Sequence, residues 1–369
     1  MNSGDKASQR IVKFAPFAAL CAKIDLLAPV APCAENLAAA LGRVLAADAS
    51  SPHAWPPQAV ALRDGWGVRA DEIVDAGAYA PAPLSARPPW LEAGDAAPPG
   101  VDAILPSEAV AFSKAGAEAL AAAAPGEGIL RAGADAGAGV ALRRSGERLR
   151  ALDLALLRAA GIGTVNIRAP KIRLICAKNT AADVLTPLVA RLVESSGGSA
   201  IVEPSMPLEQ SFADRSVDAV FVVGGSGAGR GDQSVRALAR VGRLECHGVA
   251  LLPGETAAFG TAARPVLILP GRFDAALAVF LTLGRRLLAR LADAPEEEPK
   301  IPVRLARKIA SQPGFAEFVA LRREPEGTVP LSAGPSTLSA LARADGWLVV
   351  PPESEGYAAG TVVEMRLFP

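Results

Sequence analysis

The sequence predicts a multidomain α/β protein built around a parallel β-sheet with helices on its faces. Between residues 171 and 291, short apolar runs of strand length alternate with helical stretches. Alternating strands and helices of this size form parallel sheets with right-handed crossovers. Proline-rich segments lie outside this region, and a chain of 369 residues has room for roughly two to four domains.

The composition argues against two classes of protein. The chain is 50% hydrophobic and 21% charged, and its formal net charge is zero. A nucleic-acid-binding protein would carry a basic excess, so we expect no nucleic-acid partner. The best apolar run, Ala275–Leu283, is too short to span a bilayer, so we expect no membrane partner. The polar start MNSGDKASQR lacks the apolar core of an export signal, which predicts a cytoplasmic protein.

The cysteines and histidines do not form a metal-binding pattern. Cys21, Cys33, Cys176 and Cys246 are scattered without CxxC spacing. We therefore expect reduced, mostly buried thiols rather than disulfides or zinc ligands. The chain has two histidines, which excludes a histidine-rich metal site.

Residues 11–48 are predicted to be largely helical, with a break at Pro29 and Pro32. In the second half of this segment, apolar residues recur at the i, i+3 and i+4 spacing of a packed amphipathic helix. They are Leu37, Ala40, Leu41, Val44 and Leu45. The spacing predicts a helix there.

Residues 51–139 are predicted to form a β-rich module of irregular strands. Ten prolines between positions 52 and 106 exclude a long helix, and extended pieces such as Ala103–Leu105 fit between them. The RDGWGV stretch contains an Asp-Gly pair, which is typical of a tight turn. Alternatively, its Asp64 carboxylate lies at a loop tip and binds a metal ion or accepts a proton. Arg131 and Asp135 lie in a second loop, which by itself is typical of a solvated turn.

The central unit is predicted to alternate strands and helices after a short helix at Leu152–Ala160. Strands are expected at Lys171–Cys176, Ala200–Glu203, Ala219–Val223, Val249–Leu252 and Val266–Leu269. Helices are expected at Leu185–Glu194, Leu208–Ala213, Gln233–Val241 and Arg272–Leu291. The last helix is the longest and carries an apolar face, so we expect it to pack on the sheet.

The stretch Asp218–Asp232, DAVFVVGGSGAGRGD, is the strongest candidate binding site in the sequence. A buried strand ends at Gly224 and Gly225, and a Gly- and Ser-rich loop leads into a helix. Ligands of open α/β sheets bind at the carboxyl ends of strands, where glycines allow close approach and helix N-termini favour negative charge. We therefore expect an anionic, phosphate-bearing ligand. The alternative is a tight turn without a ligand, because neither GxGxxG nor a closing GK[ST] is present.

The C-terminal part is predicted to be a small all-β domain behind a linker. Residues 294–300, APEEEPK, are charged and contain two prolines, which is typical of a linker. The strands expected beyond it are Val303–Ile309, Phe315–Leu321 and Val362–Leu367.

Motifs in a preserved order cover nearly the whole chain. ALGRVLAADASSP at 40–52, followed by RDGWGV, is similar to a family pattern ALGRVLAEDV and MDGYA. The glycine stretch is similar to DVVIxSGGVSVGxxD. Further similar segments are AGDAAPPGVDAILPSE at 93–108, LLRAAGIGTV at 156–165, LPGETAAFG at 252–260, LPG at 269–271 and the tail at 347–368. Together they resemble the molybdopterin molybdenumtransferases, the family of MoeA and the gephyrin E-domain.

The resemblance implies a four-part molecule. Residues 1–48 and 140–168 would form an elongated helical dimerisation segment, and residues 49–139 an inserted β-rich module. Residues 169–295 would form a MogA-like three-layer α/β molybdopterin-binding domain. Residues 296–369 would form a C-terminal β-barrel domain.

The resemblance also implies a function in molybdenum cofactor biosynthesis. Members of the family insert molybdenum from molybdate into molybdopterin and release AMP from the adenylylated pterin in a Mg²⁺-assisted step. They are homodimers, and a recipient molybdoenzyme is a further expected partner. Glycines and carboxylates suit this chemistry, because a divalent ion neutralises the charge that develops on phosphate.

Position by position, the resemblance assigns roles to residues of this chain. Asp64 and Asp232 are expected to be catalytic, and Asp64, Asp135 and Asp232 to bind the metal ion. The residues expected to bind molybdopterin are Asp218, Gly224, Gly225, Ser226, Gly227, Arg230, Pro270, Gly271 and Arg272. For the carboxylates, the alternative is an ordinary surface turn.

The chain departs from the family pattern where charges are concentrated. Residues 177–181, AKNTA, stand in place of the acidic TGDEL. Both lysines of KPGKP are missing, with Leu252 and Glu255 in their places. Exchanging Lys for Glu inverts the local field and weakens anion binding. Arg230 and Arg272 could restore positive charge, since arginine holds phosphate bidentately.

Three hypotheses therefore stay open. An active or modified transferase comes first, because Asp64, Asp135 and Asp232 are retained. The second is a catalytically impaired molybdopterin-binding or scaffold protein that carries cofactor or binds a molybdoenzyme, as the missing lysines indicate. The third is a purely structural protein that assembles by dimerising.

Overall fold

A computed structural model describes residues 9–177, 183–203, 206–295, 299–331 and 336–368. The N-terminal part begins with a helix and continues as short strands. These elements are α1 Phe17–Asp25, β1 Cys33–Asn36, β2 Val44–Leu45 and β3 Ala49–Ser50. Leu20 and Ile24 of α1 are buried in the core of the α/β unit that follows later in the chain.

The β-rich module follows, as the prolines predict. Its strands are β4 Val60–Ala61, β5 Gly65–Val68, β6 Ala82–Pro83, β7 Trp90–Leu91, β8 Ala103–Leu105, β9 Val110–Ser113, β10 Gly116–Ala119 and β11 Ile129–Leu130. β5 pairs with β7 and β8, and β10 pairs with β6 and β9. Ile73, Leu105 and Val110 belong to a core of its own.

The chain then returns to the first segment. This return consists of β12 Ala141–Arg143, α2 Ala151–Ala159 and β13 Thr164–Arg168. α2 confirms the short helix expected before the central unit. β13 pairs antiparallel with both β1 and β2, which gives a three-stranded sheet in the order β1-β13-β2.

The helix predicted over residues 37–45 is wrong. The Asn36 side chain caps a single 3₁₀ turn, Leu37–Ala39, and the chain then turns at Gly42, whose φ is 74°, into β2. Four of the five apolar residues are buried, as their spacing indicated, and Leu41 is exposed. The buried residues pack around a small sheet rather than on one face of a helix. Pairing of β2 with the distant β13 outweighs the local periodicity. The segment expected to be helical is therefore a mixture of two helices and a sheet.

The central α/β unit contains most of the expected elements. They are β14 Lys171–Cys176, α3 Leu185–Ser195, β15 Ser199–Val202, α4 Leu208–Ala213, β16 Ala219–Val223, α5 Ser234–Val241, β17 Arg243–His247, β18 Leu251–Leu252, β19 Ala258–Thr261, β20 Pro265–Leu269, α6 Phe273–Val279 and α7 Arg285–Ala292. A π-helical segment, Phe280–Gly284, joins α6 to α7. The long helix predicted at Arg272–Leu291 is thereby confirmed.

The sheet of this unit has six strands in the order β15-β14-β16-β20-β19-β17. The first four are parallel, and β16 is central and buried along its whole length. Its side chains alternate between two cores: Phe221 packs with α6 and α1 on one face, and Val220 and Val222 pack with α5 on the other. Helices therefore cover both faces, which gives the predicted three-layer arrangement.

Two strand predictions in this unit need correction. β17 and β19 form an antiparallel extension of the sheet, so the sheet is mixed rather than purely parallel. The strand expected at Val249–Leu252 is reduced to β18, which pairs parallel with a strand of the C-terminal domain, at Leu251↔Ala316. Partners this far along the chain cannot be read from a local apolar run.

The C-terminal part is β-rich, as predicted. Its elements are β21 Lys300–Arg304, β22 Ile309–Ala310, β23 Ala316–Glu324, β24 Gly327–Pro330, α8 Leu338–Leu341, β25 Gly346–Val350, β26 Gly356–Tyr357 and β27 Val362–Leu367. The main sheet has the order β18-β23-β25-β27-β21, and β24 pairs with β23. An isolated bridge links Leu305, next to β21, to Thr328 in β24. One bridge is not a ladder, so closure into a barrel stays a prediction.

Several other expectations have a clear outcome. The four cysteines are free thiols, but only Cys21 is buried and Cys33 is exposed. Within the ranges given above, no helix is both long and apolar enough to cross a membrane. The acids of the predicted linker, residues 296–298, lie outside the described residues. The exact domain limits stay predictions.

Candidate functional site

A cavity of about 590 Å³ opens at the carboxyl ends of β14, β16 and β20. Each strand contributes its last residues or the next one: Cys176 from β14, Val223 from β16 and Pro270 after β20. Leu185 and Phe273, from the N-terminal ends of α3 and α6, close other sides. Open α/β sheets bind ligands at this edge. The cavity is therefore where the glycine stretch predicts a site.

The glycine loop that follows β16 forms one wall of the cavity. Gly224 and Gly225 have φ values of 90° and 72°, in a region that side chains rarely adopt. A Cβ atom at Gly225 would collide with the hydroxyl of Ser234, and one at Gly224 would lie 3.7 Å from Cα of Gly271. Glycine is thus favoured at both positions by backbone conformation, and at Gly225 also by space.

The side chain of Gln9 ties this loop to the helix that follows it. Its Nε2 donates to the carbonyl oxygens of Gly225 and Gly227 at 2.9 and 3.0 Å. Its Oε1 accepts from the backbone N–H groups of Val235 and Arg236, both at 3.0 Å. Because Gln9 is only 5% exposed, these bonds satisfy an amide that burial would otherwise penalise.

Ser226 is buried in the same loop and is held on two sides. Its Oγ lies 3.2 Å from Oγ1 of Thr256, and its carbonyl oxygen lies 2.8 Å from Nε2 of His247. Thr256 comes from the loop between β18 and β19, which also contributes Glu255 to the lining. The contact therefore joins the two loops on either side of the cavity.

Arg272 stands at the N-cap of α6 and is held by a buried carboxylate. Its Nε lies 2.6 Å from Oδ1 of Asp274, which is 2% exposed, whereas the Arg272 side chain is half exposed. Asp274 also accepts hydrogen bonds from the backbone N–H groups of Ala275 at 2.8 Å and Ser336 at 3.0 Å. This aspartate therefore fixes the cavity arginine and joins the α/β unit to the C-terminal domain.

Three carboxylates and one guanidinium occur in the described lining. They belong to Asp183, Asp232, Glu255 and Arg272, whose charges sum to −2. The Asp232 carboxylate packs against the glycine loop, so a Cβ atom at Gly227 would lie 2.9 Å from its Oδ2. A negative lining repels an anion, so an anionic ligand would need a cation beside it.

Asp183 caps α3 and was not predicted as a site residue. Its Oδ1 accepts from the backbone N–H groups of Leu185 and Thr186 at 3.0 and 3.1 Å. Burial alone would raise the pKa of Asp183, but hydrogen bonds, chiefly from Thr186, outweigh it and hold the pKa below its ordinary value. Asp183 is therefore ionised at neutral pH and adds to the negative charge of the cavity.

The structure brings most of the expected molybdopterin-binding residues together. Those that line the cavity are Gly224, Gly225, Ser226, Gly227, Pro270, Gly271 and Arg272, beside the predicted catalytic Asp232. Asp218 lies at the opposite end of β16, where its Oδ2 accepts from the Lys171 backbone N–H at 2.8 Å. Six residues of strand place it about 20 Å from Gly224. It aligns β14 with β16 and lies outside the lining, as does the exposed Arg230.

The other two expected metal ligands lie in the β-rich module. Asp64 is exposed, and its Oδ1 accepts from the Ala93 backbone N–H at 2.8 Å. Asp135 is exposed in the loop after β11. Among the described residues of one chain, no group of three or more His, Cys, Asp or Glu could hold a metal ion. A single chain therefore does not unite Asp64, Asp135 and Asp232 in the way that was predicted.

Sequence reasoning missed four residues of the site. An aspartate two residues before a helix is a recognisable N-cap signal, so Asp183 could have been found from the sequence. Gln9 and Thr256 act through partners in distant loops and gave no local signal. Asp274 pairs with its neighbour Arg272, but its bond to the distant Ser336 gave no local signal. Four of the five residues that replace TGDEL, 178–181, lie outside the described residues.

The arrangement suits a phosphate-bearing ligand accompanied by a cation. The first N–H groups of a helix have no partner within the helix and favour negative charge. The N-terminal ends of α3 and α6 both contribute to the lining. The Asp183 carboxylate already accepts from the first N–H groups of α3, and the Asp274 carboxylate accepts from one of α6. The Arg272 guanidinium is therefore the main positive group of the lining. The carboxylates on the other walls attract a cation. The cavity therefore combines groups for both charges within a few residues of the glycine loop.

Three family models match the chain in sequence order. The model for "MoeA N-terminal region (domain I and II)" matches residues 8–161. The "Probable molybdopterin binding domain" matches residues 177–290, which include every described lining residue of the cavity except Cys176. The model for "MoeA C-terminal region (domain IV)" matches residues 302–368.

Individual relatives show the same similarity at low identity. A molybdopterin molybdenumtransferase of Synechococcus elongatus is 26% identical and covers 88% of this chain and 91% of its own. A Methanocaldococcus jannaschii protein named for molybdopterin biosynthesis is 28% identical over a shorter match, which covers 41% of this chain and 36% of the relative.

A solved structure extends the comparison to the fold. The crystal structure of a molybdopterin biosynthesis MoeA protein from Pyrococcus horikoshii OT3 is similar with a TM-score of 0.76 and 26% identity. The similarity covers 96% of this chain and all of the other. With domain models, relatives and fold in agreement, the chain belongs to the MoeA family of molybdenum cofactor biosynthesis proteins, as a divergent member.

Proposed function

We propose that this protein is a cytoplasmic molybdopterin molybdenumtransferase that inserts molybdate into adenylylated molybdopterin and releases AMP. The observation that carries the proposal is the cavity at the carboxyl ends of β14, β16 and β20, where the glycine loop, Arg272 and Asp232 meet. The similarity to a relative with this activity in its name covers most of the chain.

The glycine loop and Arg272 are the groups that we assign to the phosphate of the pterin substrate. Gly224 and Gly225 let the backbone approach an anion closely, since neither carries a side chain that would stand between them. Arg272 offers a guanidinium that Asp274 holds in place. A held guanidinium loses less side-chain freedom when it binds a phosphate.

Mg²⁺ fits the charge of the cavity, although one chain alone does not supply a full set of ligands. The described lining carries a net charge of −2, which favours a cation next to a phosphate. Proteins usually bind Mg²⁺ through one or two carboxylates together with substrate phosphates, so we assign this role to Asp232. When bound, the ion would neutralise charge on the departing phosphate.

Asp64 and Asp135 enter the proposal through a second copy of the chain. No residue of the β-rich module belongs to the described lining of the cavity. Both aspartates are exposed, so they are free to approach another molecule. We propose a homodimer in which Asp64 and Asp135 of one copy face the cavity of the other.

A second candidate function is a molybdopterin carrier or scaffold that serves a recipient molybdoenzyme. The favouring observation is Glu255, which lines the cavity at a position where the family pattern has a lysine. With Asp183 and Asp232 it makes the lining negative, which weakens the binding of molybdate, itself an anion. In this case the pterin binds without being converted.

Release of AMP from adenylylated molybdopterin by the full-length protein tests the proposal. The reaction is run with molybdate and Mg²⁺ together, and then with each omitted. Release that depends on molybdate supports the transferase. No release, with the pterin still bound in an equilibrium measurement, contradicts it and favours the carrier. No binding at all contradicts both.

A further inference from the structure

A single nitrogen atom holds two carbonyl groups of the glycine loop. The Gln9 Nε2 donates to the carbonyl oxygens of Gly225 and Gly227, at 2.9 and 3.0 Å. Both carbonyl groups therefore point toward the same atom. The consequence goes beyond stability, because the direction of a carbonyl group also fixes the direction of the N–H group in the same peptide unit.

The two hydrogen bonds determine where two N–H groups of the loop point. In a planar trans peptide the C=O and N–H groups lie on opposite sides, and the peptide bonds of this loop are trans. The N–H groups that share a peptide unit with the carbonyls of Gly225 and Gly227 are those of Ser226 and Ala228. Because both carbonyl groups face Gln9, both of these N–H groups face away from it.

The side that faces away from Gln9 is the side of the cavity. Ser226 and Gly227 belong to the described lining, whereas Gln9 does not, so the loop lies between Gln9 and the cavity. Ser226 is 1% exposed, and neither its N–H group nor that of Ala228 donates to an acceptor among the described residues. A buried N–H group without an acceptor costs free energy, and a phosphate oxygen in the cavity would supply the acceptor.

Gln9 is itself held firmly enough to impose these directions. Its Oε1 accepts from two backbone N–H groups in the first turn of α5, both at 3.0 Å, so both ends of the amide are used. The segment that follows Gln9 is also anchored. Ala15 donates to the carbonyl oxygen of Gly248 at 2.9 Å and accepts from the N–H group of Ala250 at 2.8 Å. The amide is therefore fixed by α5 on one side and by its own backbone on the other.

We propose that Gln9 is a positioning residue for phosphate binding, which turns the N–H groups of Ser226 and Ala228 toward a phosphate group in the cavity. The inference rests on the proposed function, which places the phosphate of the substrate at the glycine loop. It adds a role in substrate binding for a residue outside the described lining, 216 positions before Gly225 in the chain.

NMR of the isotope-labelled, full-length protein tests the proposal by titration with inorganic phosphate in the presence of Mg²⁺. Sodium chloride at equal ionic strength is the blank. The variant is Gln9→Met, whose side chain is similar in size but has no N–H group. The matched control is Asp153→Asn, which removes a buried carboxylate of α2, outside the described lining of the cavity. Both variants should lose stability, but only the first should disturb the loop.

Phosphate should shift the amide signals of Ser226 and Ala228 in the unchanged protein. We expect half-saturation to need roughly tenfold more phosphate in Gln9→Met, and to stay within about twofold in Asp153→Asn. Two results would overturn the proposal. The first is no response of these two amide signals in the unchanged protein. The second is the same half-saturation in both variants, which would mean that Gln9 only stabilises the fold.

Gln9→Asn replaces Gln9→Met if the latter does not fold, as judged by circular dichroism. Asparagine keeps the amide but is one carbon shorter, so it cannot reach the loop carbonyls and α5 at the same time. Weaker phosphate binding than in Asp153→Asn is again the expected result, and equal binding again overturns the proposal.

The kinetics of AMP release separate this inference from the proposed function. In Gln9→Met, KM for adenylylated molybdopterin should rise roughly tenfold while kcat stays within about threefold, because the phosphate is held equally before and during the reaction. Loss of stability alone, as in Asp153→Asn, should leave KM unchanged. An active Gln9→Met with unchanged KM would overturn the role of Gln9 and leave the transferase standing. The expected phosphate response without any AMP release would support the role of Gln9 and contradict only the transferase.

Discussion

Arg272 and Asp274 form an ion pair at the edge of the candidate active site, with 2.6 Å between Nε and Oδ1. The aspartate is buried, whereas the arginine is half exposed in the cavity. Two backbone N–H groups, from Ala275 and Ser336, share the same carboxylate. The pair thus links the position of a cavity arginine to the contact between two domains.

Asp274→Asn should impair substrate binding more than turnover. The amide keeps one acceptor oxygen but carries no negative charge, so it cannot form an ion pair with Arg272 and holds the guanidinium less firmly. We expect KM for adenylylated molybdopterin to rise about tenfold, equivalent to about 1.4 kcal/mol. Stability should fall by about 1–3 kcal/mol in urea unfolding. The control is Asp345→Asn, which removes the ion pair of Arg323 with Asp345 away from the cavity and should leave KM unchanged. An unchanged KM in the first variant would show that Arg272 does not hold the substrate.

Gln9→Ala should loosen the glycine loop. The variant removes one of the two donors to the Gly225 carbonyl oxygen, the Gln9 donor to the part-buried Gly227 carbonyl oxygen, and the Gln9 acceptor of two N–H groups. This loss costs about 2 kcal/mol or more. Hydrogen exchange measures this directly: the amides of Val235 and Arg236 should exchange faster, while those of β16 change little. The exposed Gln312→Ala is the control. Equal exchange in the two variants would mean that Gln9 does not fix the loop.

Asp153→Asn should destabilise the fold in a pH-dependent way. Burial alone would raise the pKa of Asp153, but hydrogen bonds from Arg150 and Arg143 outweigh it and lower the pKa to about 2. A carboxylate with a lowered pKa in the folded state stabilises the fold fully when the pH is above the pKa of the unfolded state. This stabilisation is lost as the pH falls through the pKa of the folded state. A shift from 3.8 to about 2 corresponds to about 2 kcal/mol at pH 7.

Urea unfolding at pH 7, 5 and 3 measures this contribution. The stability gap between Asp153→Asn and the unchanged protein should be full at pH 7 and pH 5 and smaller at pH 3. The exposed Asp75→Asn corrects for the general effect of acid. A gap that stays constant down to pH 3 would show that the ionised form of Asp153 is not what stabilises the folded state.

Mixing two inactive variants tests whether a second copy completes the site. Asp64→Ala and Asp232→Ala should each abolish molybdate-dependent AMP release. If the site takes Asp64 from one copy and Asp232 from the other, each mixed dimer keeps one intact site. Equal mixing and re-association should then restore roughly a quarter of the original activity, since half of all dimers are mixed. No recovery in verified mixed dimers would rule out a shared site.

The sequence was most informative where structure is decided locally. β16 forms at the predicted Ala219–Val223, because a short apolar run between two helices has few alternatives to a buried strand. The helix that begins at Phe273 also follows its apolar spacing. Its π segment was not predicted, since one additional residue per turn leaves little trace in that spacing.

Elements that depend on distant partners were predicted poorly. The apolar residues between Leu37 and Leu45 have a helical period. However, the chain turns at Gly42, which has a positive φ, and β2 pairs with β13 instead. For the site, the glycine loop was visible in the sequence because its conformation is local. The hydrogen bond from Gln9 to Gly225 could not be predicted from the sequence, because the two residues are 216 positions apart.

The most direct test of whether the reaction takes place in this cavity compares the two aspartates at the ends of the glycine stretch, Asp218 and Asp232. AMP release from adenylylated molybdopterin, with molybdate and Mg²⁺, is measured for Asp232→Asn and Asp218→Asn. Asp232 lines the cavity, whereas Asp218 bonds to Lys171 at the far end of β16, a bond that an amide oxygen can still accept. We predict a loss of about 100-fold or more for Asp232→Asn and turnover within about threefold of the original for Asp218→Asn. Comparable turnover in the two variants would contradict the assignment of the reaction to this cavity.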